Sequence, residues 1–309
     1  MRAFSLRTIG AVGLAIVPVL LAGTASAAPF TGPTSPYYLN QYNSSPNTAV
    51  IYVVQGTSVI NSFGTSYGGS PHGESILAVT NVVTTNDWGS AYHTSGLAGQ
   101  YSLSGTQTGI SHTSQSTPGL ANEVQFDGTS DGTHNYTVNY SSYDGYGGGE
   151  VIQTDLNWQN PTVLFSTGRS GNMGIAYDQA NNSLWISGFD NRIVSDWSLS
   201  GTLLSSFDSG LRDMAALGYD PADGTLWFSS GQTNELFQYS TSGVQLQSGA
   251  PTGLPNGNYF AGEFATGAIP TGAIPTGAIP TGAIPEPASM LLLGAGLAGL
   301  GLVRRRKAA

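Results

Sequence analysis

Four groups of residues in this 309-residue chain have types suited to chemistry. Gly64-Thr65-Ser66-Tyr67-Gly68 fits G-x-S-x-G, the turn that presents a nucleophilic serine. That turn has to join a strand to a helix, whereas this stretch reads as a glycine-rich loop between strands. His72, His93, His112 and His134 are potential metal ligands, but no two have helical metal-binding spacing and H-E-x-x-H is missing. They read as turn or surface histidines, so neither a metal site nor a catalytic set is assigned. Asp127…Asp131-Gly132 and Asp220…Asp223-Gly224 lack D-x-[DN]-x-[DN]-G spacing. Aspartate beside glycine is what a hairpin turn needs, for side-chain-to-backbone bonding and positive φ. Calcium is the one cofactor these acids leave open. Tyr136, Tyr140, Tyr143 and Tyr146 surround a run of glycines. Tyr143 and Tyr146 are candidate rings for stacking on sugars, with packing against neighbouring strands as the alternative.

The elements that would hold these groups lie between two processed ends. Residues 1–27 have a basic start at Arg2 and Arg7, an apolar stretch from Ile9 to about Ala22, and Ala25-Ser26-Ala27. This is the layout of a secretory signal peptide, cleaved after Ala27 to leave Ala28 first. At the other end, Pro285-Glu286-Pro287 precedes an apolar run, and Arg304, Arg305, Arg306 and Lys307 follow it. At ~1.5 Å per residue, Ala288–Val303 makes roughly 24 Å of helix, just short of a ~30 Å hydrocarbon core. Such a helix inserts with its basic cluster at the head groups, and that charge keeps this end cytoplasmic. Thr-Gly-Ala-Ile-Pro occurs four times over residues 266–285. A proline every fifth residue breaks helices and central strands, so an extended spacer is expected.

Pro285-Glu286-Pro287, the short apolar helix and the terminal arginines together resemble the PEP-CTERM sorting signal over residues 284–309. The resemblance implies a Gram-negative bacterium, export, and an exosortase that removes or replaces the tail. The same tail is sometimes labelled an ice-binding protein C-terminal domain. It implies a cell-surface or extracellular-matrix address, commonly alongside exopolysaccharide.

The body, residues 28–265, holds three arginines and no lysine against 17 of the 18 acids, a formal charge of −14. That field opposes nucleic-acid binding. No cysteine is present, which excludes disulfides and thiol chemistry. An internal repeat sets the fold. Tyr177-Asp178 with Trp185, and Tyr219-Asp220 with Trp227, recur 42 residues apart. Each unit reads as four short strands, the last as Met214–Tyr219, Thr225–Ser229, Glu235–Tyr239 and Val244–Gln247. Ser102-Leu103-Ser104-Gly105-Thr106 repeats Ser198-Leu199-Ser200-Gly201-Thr202 letter for letter. Val124–Asp127 and His134–Tyr140 are read as the first strands of a looser unit, with Val151–Asn157 and Thr162–Phe165 following. Ala49–Val54 and Ser58–Phe63 end a first unit. Repeats of this length with four strands indicate an all-β propeller. The Tyr-Asp…Leu-Trp pattern is similar to blades of NHL- and SMP-30-like propellers. Asn258–Ala265 is expected to close the ring as the innermost strand of the blade at 49–63, giving five blades. Six blades and a β-sandwich are the competing architectures.

These readings favour a non-enzymatic surface or matrix protein whose propeller binds glycan, such as exopolysaccharide, or another protein. The competing function is an extracellular lyase or lactone/ester hydrolase, with acids and histidines converging at the ring centre. A third is a structural biofilm coat component. Partners during export are signal peptidase, exosortase and the membrane.

Overall fold

The computed structural model describes residues 29–42, 49–65, 76–86, 97–120, 123–140, 148–231 and 233–265. The signal peptide with Ala25, Ala27 and Ala28, the repeat spacer, Pro285-Glu286-Pro287 and the basic cluster lie outside them.

The described residues form five four-stranded antiparallel sheets. The first blade contains β1 (Tyr37–Tyr42), β2 (Ala49–Gln55) and β3 (Ser58–Thr65). The second contains β4 (Ile76–Val79), β5 (Val82–Asn86), β6 (Leu97–Ser102) and β7 (Gln107–Thr113). The third has β8 (Gly128–Ser130), β9 (Asn135–Val138), β10 (Glu150–Thr154) and β11 (Thr162–Ser166). The fourth has β12 (Asn172–Asp178), β13 (Ser183–Gly188), β14 (Ile193–Ser198) and β15 (Leu203–Asp208). The fifth has β16 (Met214–Asp220), β17 (Thr225–Ser230), β18 (Leu236–Ser240) and β19 (Gln245–Gly249). The last strand, β20 (Asn258–Phe264), returns to pair antiparallel with β1, matching Tyr37 to Phe264 and Tyr42 to Asn258. It is the innermost strand of the first blade, so one sheet joins both ends of the body and closes a five-bladed ring.

Burial grades outward within a blade. Every residue of β16 is buried, while β15 and β19 have none buried. An inner strand is covered on both faces and so reads as a run of small and apolar residues rather than an alternation. The core is correspondingly divided among the five blade interfaces. Trp185 of blade four packs with Leu217 and Phe228 of blade five. Trp227 of blade five packs with Tyr37 and Phe264 of blade one. Tyr38 and Ile51 meet Leu77 and Tyr101 between blades one and two. The 42-residue repeat of the sequence is therefore the same wedge used at successive interfaces.

The Tyr-Asp of each repeat ends the inner strand and builds the first turn. Asp178 accepts from Ala180 N at 2.9 Å, and Asp220 accepts from Ala222 N at 3.0 Å. The Ser-x-Ser-Gly turn joins the third and fourth strands of a blade. In each of three copies, at Ser102, Ser198 and Ser240, the first serine hydroxyl accepts the N–H four residues later, at 3.0–3.1 Å. The glycines of these turns, Gly105, Gly201 and Gly243, have φ between +80° and +92°.

One segment differs from the sequence reading. Val124–Asp127 is not a strand; the innermost strand of blade three is the three-residue β8, immediately after it. Before Gly128 side chains replace the ladder: Val124 N donates to Asn139 Oδ1 at 3.0 Å, and Thr137 Oγ1 donates to Asp127 O at 2.7 Å.

Candidate binding site

Asp127 is fully buried, and its carboxylate ties together the inner strands of four blades. Oδ1 accepts from Gly128 N and from Gly262 N of β20, both at 2.9 Å. Oδ2 accepts from Ile175 N of β12 at 3.1 Å and from Leu217 N of β16 at 2.9 Å. A carboxylate that reaches three other inner strands from β8 lies on the ring axis. Asp127 is therefore not a turn residue, as its spacing from Asp131-Gly132 suggested. Glu263 of β20 is also fully buried and accepts from Phe264 N at 3.0 Å. Burial pushes both carboxyls above the ordinary range, and the charge on Asp127 raises Glu263 further. Four backbone donors favour the ionised form of Asp127. Glu263 has the Thr129 hydroxyl and one backbone donor, Phe264 N, to offset the same burial. Tyr37 completes the closure: its hydroxyl donates to Ala216 O, and its ring stacks on Phe264 with centroids 4.5 Å apart. A Cβ on Gly262 would lie 2.5 Å from that hydroxyl, so only glycine allows this approach.

The strands alternate in direction, so the starts of the inner strands, the loops that enter them and the second-to-third-strand loops share one end of the ring. A cluster of aromatic and apolar side chains gathers there. Phe126 precedes β8, Met173 and Ala215 begin β12 and β16, Phe260 lies in β20, and Tyr140 and Phe189 follow β9 and β13. Phe126 lies 5.3 Å from Phe260 and 5.4 Å, edge-on, from Tyr140; Tyr140 lies 6.1 Å from Phe189. Tyr140 is buried and donates to Asp190 Oδ2 at 3.0 Å, while Phe126, Phe189 and Phe260 are half-buried. Arg169, Arg192 and Arg212 all stand in loops at this end. Arg212 donates to Asp190 O at 3.4 Å, and Arg192 pairs with Asp208 at 2.8 Å. The result is an apolar floor with a polar rim, a surface suited to stacking and hydrogen bonding.

The other sequence candidates are dispersed. Gly64 and Thr65 end the outer strand β3, and Ser66 lies outside the described residues, as do His72 and His93. His112 stands on β7 in blade two; His134 is beside β9 in blade three, 3.8 Å from Asp131. Among the described residues no three His, Asp or Glu side chains form a group that could hold a metal ion. Asp131 and Asp223 do make the turns expected of them, accepting from Thr133 N at 2.7 Å and Thr225 N at 3.1 Å. Tyr136 and Tyr140 are buried, which is the packing alternative; Tyr143 and Tyr146 lie outside the described residues. Phe126, Phe189 and Phe260 were not singled out by sequence.

Among curated proteins none matches the chain. The propeller is similar in fold to a structure titled as a nidogen/laminin complex, at 12% identity and TM-score 0.48, over 75% of this chain and 98% of that one. A functionally unknown protein from Desulfotomaculum acetoxidans gives 16% and 0.41, over 74% and 75%. Myxococcus xanthus glutaminyl cyclase gives 14% and 0.38, over 62% and 71%. Residues 283–307 match the model of the PEP-CTERM protein-sorting motif. The chain is an exported protein, sorted by an exosortase through this C-terminal motif, with a five-bladed β-propeller as its body.

Proposed function

We propose that the propeller is a glycan-binding module of the cell surface or extracellular matrix, and that it acts without catalysis. The carrying observation is the half-buried trio Phe126, Phe189 and Phe260 at the loop end of a ring whose axis is filled. Aromatic rings present flat apolar faces to the C–H faces of pyranose rings, and the Asp190 and Arg212 rim supplies hydrogen bonds at the edges. The filled axis supports binding over turnover. A lyase or lactonase needs its acids free in an open channel, whereas Asp127 spends both oxygens on backbone N–H groups. Exopolysaccharide from the producing bacterium is the partner most consistent with exosortase sorting.

The test is co-sedimentation of residues 28–265 with that polysaccharide, with and without calcium. Saturable binding is expected, and Phe189→Ala should weaken it about tenfold, the equivalent of one lost ring contact of about 1.4 kcal/mol. A calcium requirement would bring the acidic turns into the site. Binding unchanged by Phe189→Ala would remove the site from the loop end. Depolymerisation of the glycan would replace the reading with the enzymatic one.

A further inference from the structure

Among the described residues, the exposed large apolar side chains share one position in the fold. Ile60, Ile110, Val163, Leu203 with Leu204, and Leu246 stand on the outermost strands β3, β7, β11, β15 and β19. Leu103, Leu156 and Val244 stand in the turns that lead into three of those strands. Single exposed aliphatics are ordinary on a protein surface. Repetition on the same hairpin in every blade makes a girdle around the ring.

The girdle is also nearly free of charge. Residues 58–65, 102–113, 154–166, 198–208 and 240–249 contain only Asp155 and Asp208 of the body's 17 acids. Asp155 is consumed within its own turn, accepting from Asn157 N and Gln159 N at 2.9 Å, and Asp208 pairs with Arg192 at 2.8 Å. Among the described residues each outer strand is paired with another strand of its sheet on one side only. The usual protections of such an edge are a lysine, a proline within the strand, an inward-pointing charge or a β-bulge, and of these β7, β11 and β15 carry only a bulge each, opposite Gly99–Tyr101, Val151–Ile152 and Asp196–Trp197. The body has no lysine, and these strands contain no proline. Neighbouring segments cover part of two edges: Val59 N donates to Thr252 O at 2.9 Å, and Thr31 N donates to Gln247 Oε1 at 2.6 Å. Among the described residues the open edges are β11, β15 and β7 short of Thr113, whose carbonyl accepts from Gln159 Nε2 at 3.1 Å.

We propose that these open edges are self-association surfaces, on which a second copy of this chain docks strand to strand. Charge selects the occupant. At −14, two bodies repel wherever their acidic faces meet, and the girdle is where like-charged copies can touch. A partner recognised through opposite charge would find nothing there to pair with. Two copies of one edge strand meet antiparallel about a twofold axis, each supplying the other's missing backbone partners. Three open edges per ring allow the assembly to extend and branch instead of stopping at a dimer.

The test is sedimentation velocity on residues 28–265, a body whose ring closes within itself through β1 and β20. The expected result is concentration-dependent association that strengthens with salt, as the acidic repulsion is screened. Combined Ile110→Lys, Val163→Lys and Leu204→Lys, all at exposed positions, should weaken it at least about tenfold with unchanged circular dichroism. If the triple variant loses its fold, hydrogen exchange on the wild-type body decides. Amides of β7, β11 and β15 should gain protection as protein concentration rises. A single monomeric species at every concentration and salt, or association unaltered by the lysines, or edge amides that gain no protection, would overturn the proposal.

Discussion

Replacing Asp127 by asparagine removes one oxygen and nothing else of consequence to shape. In the wild type, Oδ1 accepts from Gly128 and Gly262 and Oδ2 from Ile175 and Leu217, at 2.9–3.1 Å. Whichever way the amide turns, its NH2 faces two backbone N–H groups that have lost their acceptor in a fully buried site. Leaving a buried donor unsatisfied costs about 1–3 kcal/mol, so the pair costs about 2–6 kcal/mol. That is a large part of the roughly 5–15 kcal/mol that stabilises an ordinary domain. At ~2–4 °C per kcal/mol for a body of this size, the melting midpoint should fall by about 5–20 °C. Urea unfolding followed by tryptophan fluorescence measures it, with the midpoint lowered and the slope unchanged. Asp208→Asn is the control: its exposed pair with Arg192 should cost under about 1 kcal/mol. If Asp127→Asn costs no more than Asp208→Asn, the axial carboxyl is not the clasp described above.

Two further outcomes follow from the same geometry. Glu263 has a carboxyl raised by burial and by Asp127, so the folded chain keeps a proton that the unfolded chain has released. Its contribution to stability is complete below the ordinary carboxylate range and is lost as pH rises through the folded value. Glu263→Gln should therefore gain stability relative to wild type as pH rises above about 5, measured as urea midpoints; a difference independent of pH would refute this. Gly201→Ala places a Cβ 2.7 Å from Phe165 Cβ at φ +80°, and should cost about 2–4 kcal/mol by the same assay.

How much of this was legible depends on whether the determining contact is local. The turns at Asp178, Asp220 and Ser198 are made by residues within a few positions of one another, and their motifs recur letter by letter. Ring closure was legible because Asn258–Ala265 remained as a strand without a blade of its own. Strand β1 and most of blade two were not read. Tyr37–Tyr42 is followed by no turn signal of the Asp-Gly kind, and β4 to β6 resemble the repeat only at Ser102–Thr106. Asp127 was misread for a specific reason. It stands four residues from Asp131-Gly132, yet the N–H groups it serves beyond its own neighbour lie 48, 90 and 135 residues away. The aromatic floor was missed likewise: Phe126, Phe189 and Phe260 share no motif, only the property of standing beside an inner strand's start or a loop at that end.

Blade three tests whether the interface wedge or the motif is the conserved physical unit. Asp155-Leu156-Asn157-Trp158-Gln159 occupies the same turn as Ser198-Leu199-Ser200-Gly201-Thr202. Asp155 N donates to Gln159 O at 2.9 Å, Trp158 N to Asp155 O at 3.0 Å, and Gln159 N to Asp155 Oδ1 at 2.9 Å, each with its counterpart at Ser198. Trp158 thus takes the glycine's place, at φ +58°. Elsewhere a phenylalanine of the preceding blade packs on that glycine: Phe63 on Gly105, Phe165 on Gly201, Phe207 on Gly243. In blade two the residue at this position is His112, opposite Ala98 as Phe207 is opposite Val194. The aromatic has crossed the interface: Trp158 fills the space beside Ile76, Ala78 and Ala98 and donates to Thr84 Oγ1 at 3.2 Å. Trp158→Gly alone should cost about 3–5 kcal/mol for the cavity, less about 1 kcal/mol of relieved backbone strain. His112→Phe alone should overpack the wedge by about 1–3 kcal/mol. Together they restore the arrangement of the other interfaces, so the double variant should be at least about 2 kcal/mol more stable than the sum predicts. Additivity within about 0.5 kcal/mol in a double-mutant cycle would show that the two positions do not share one space.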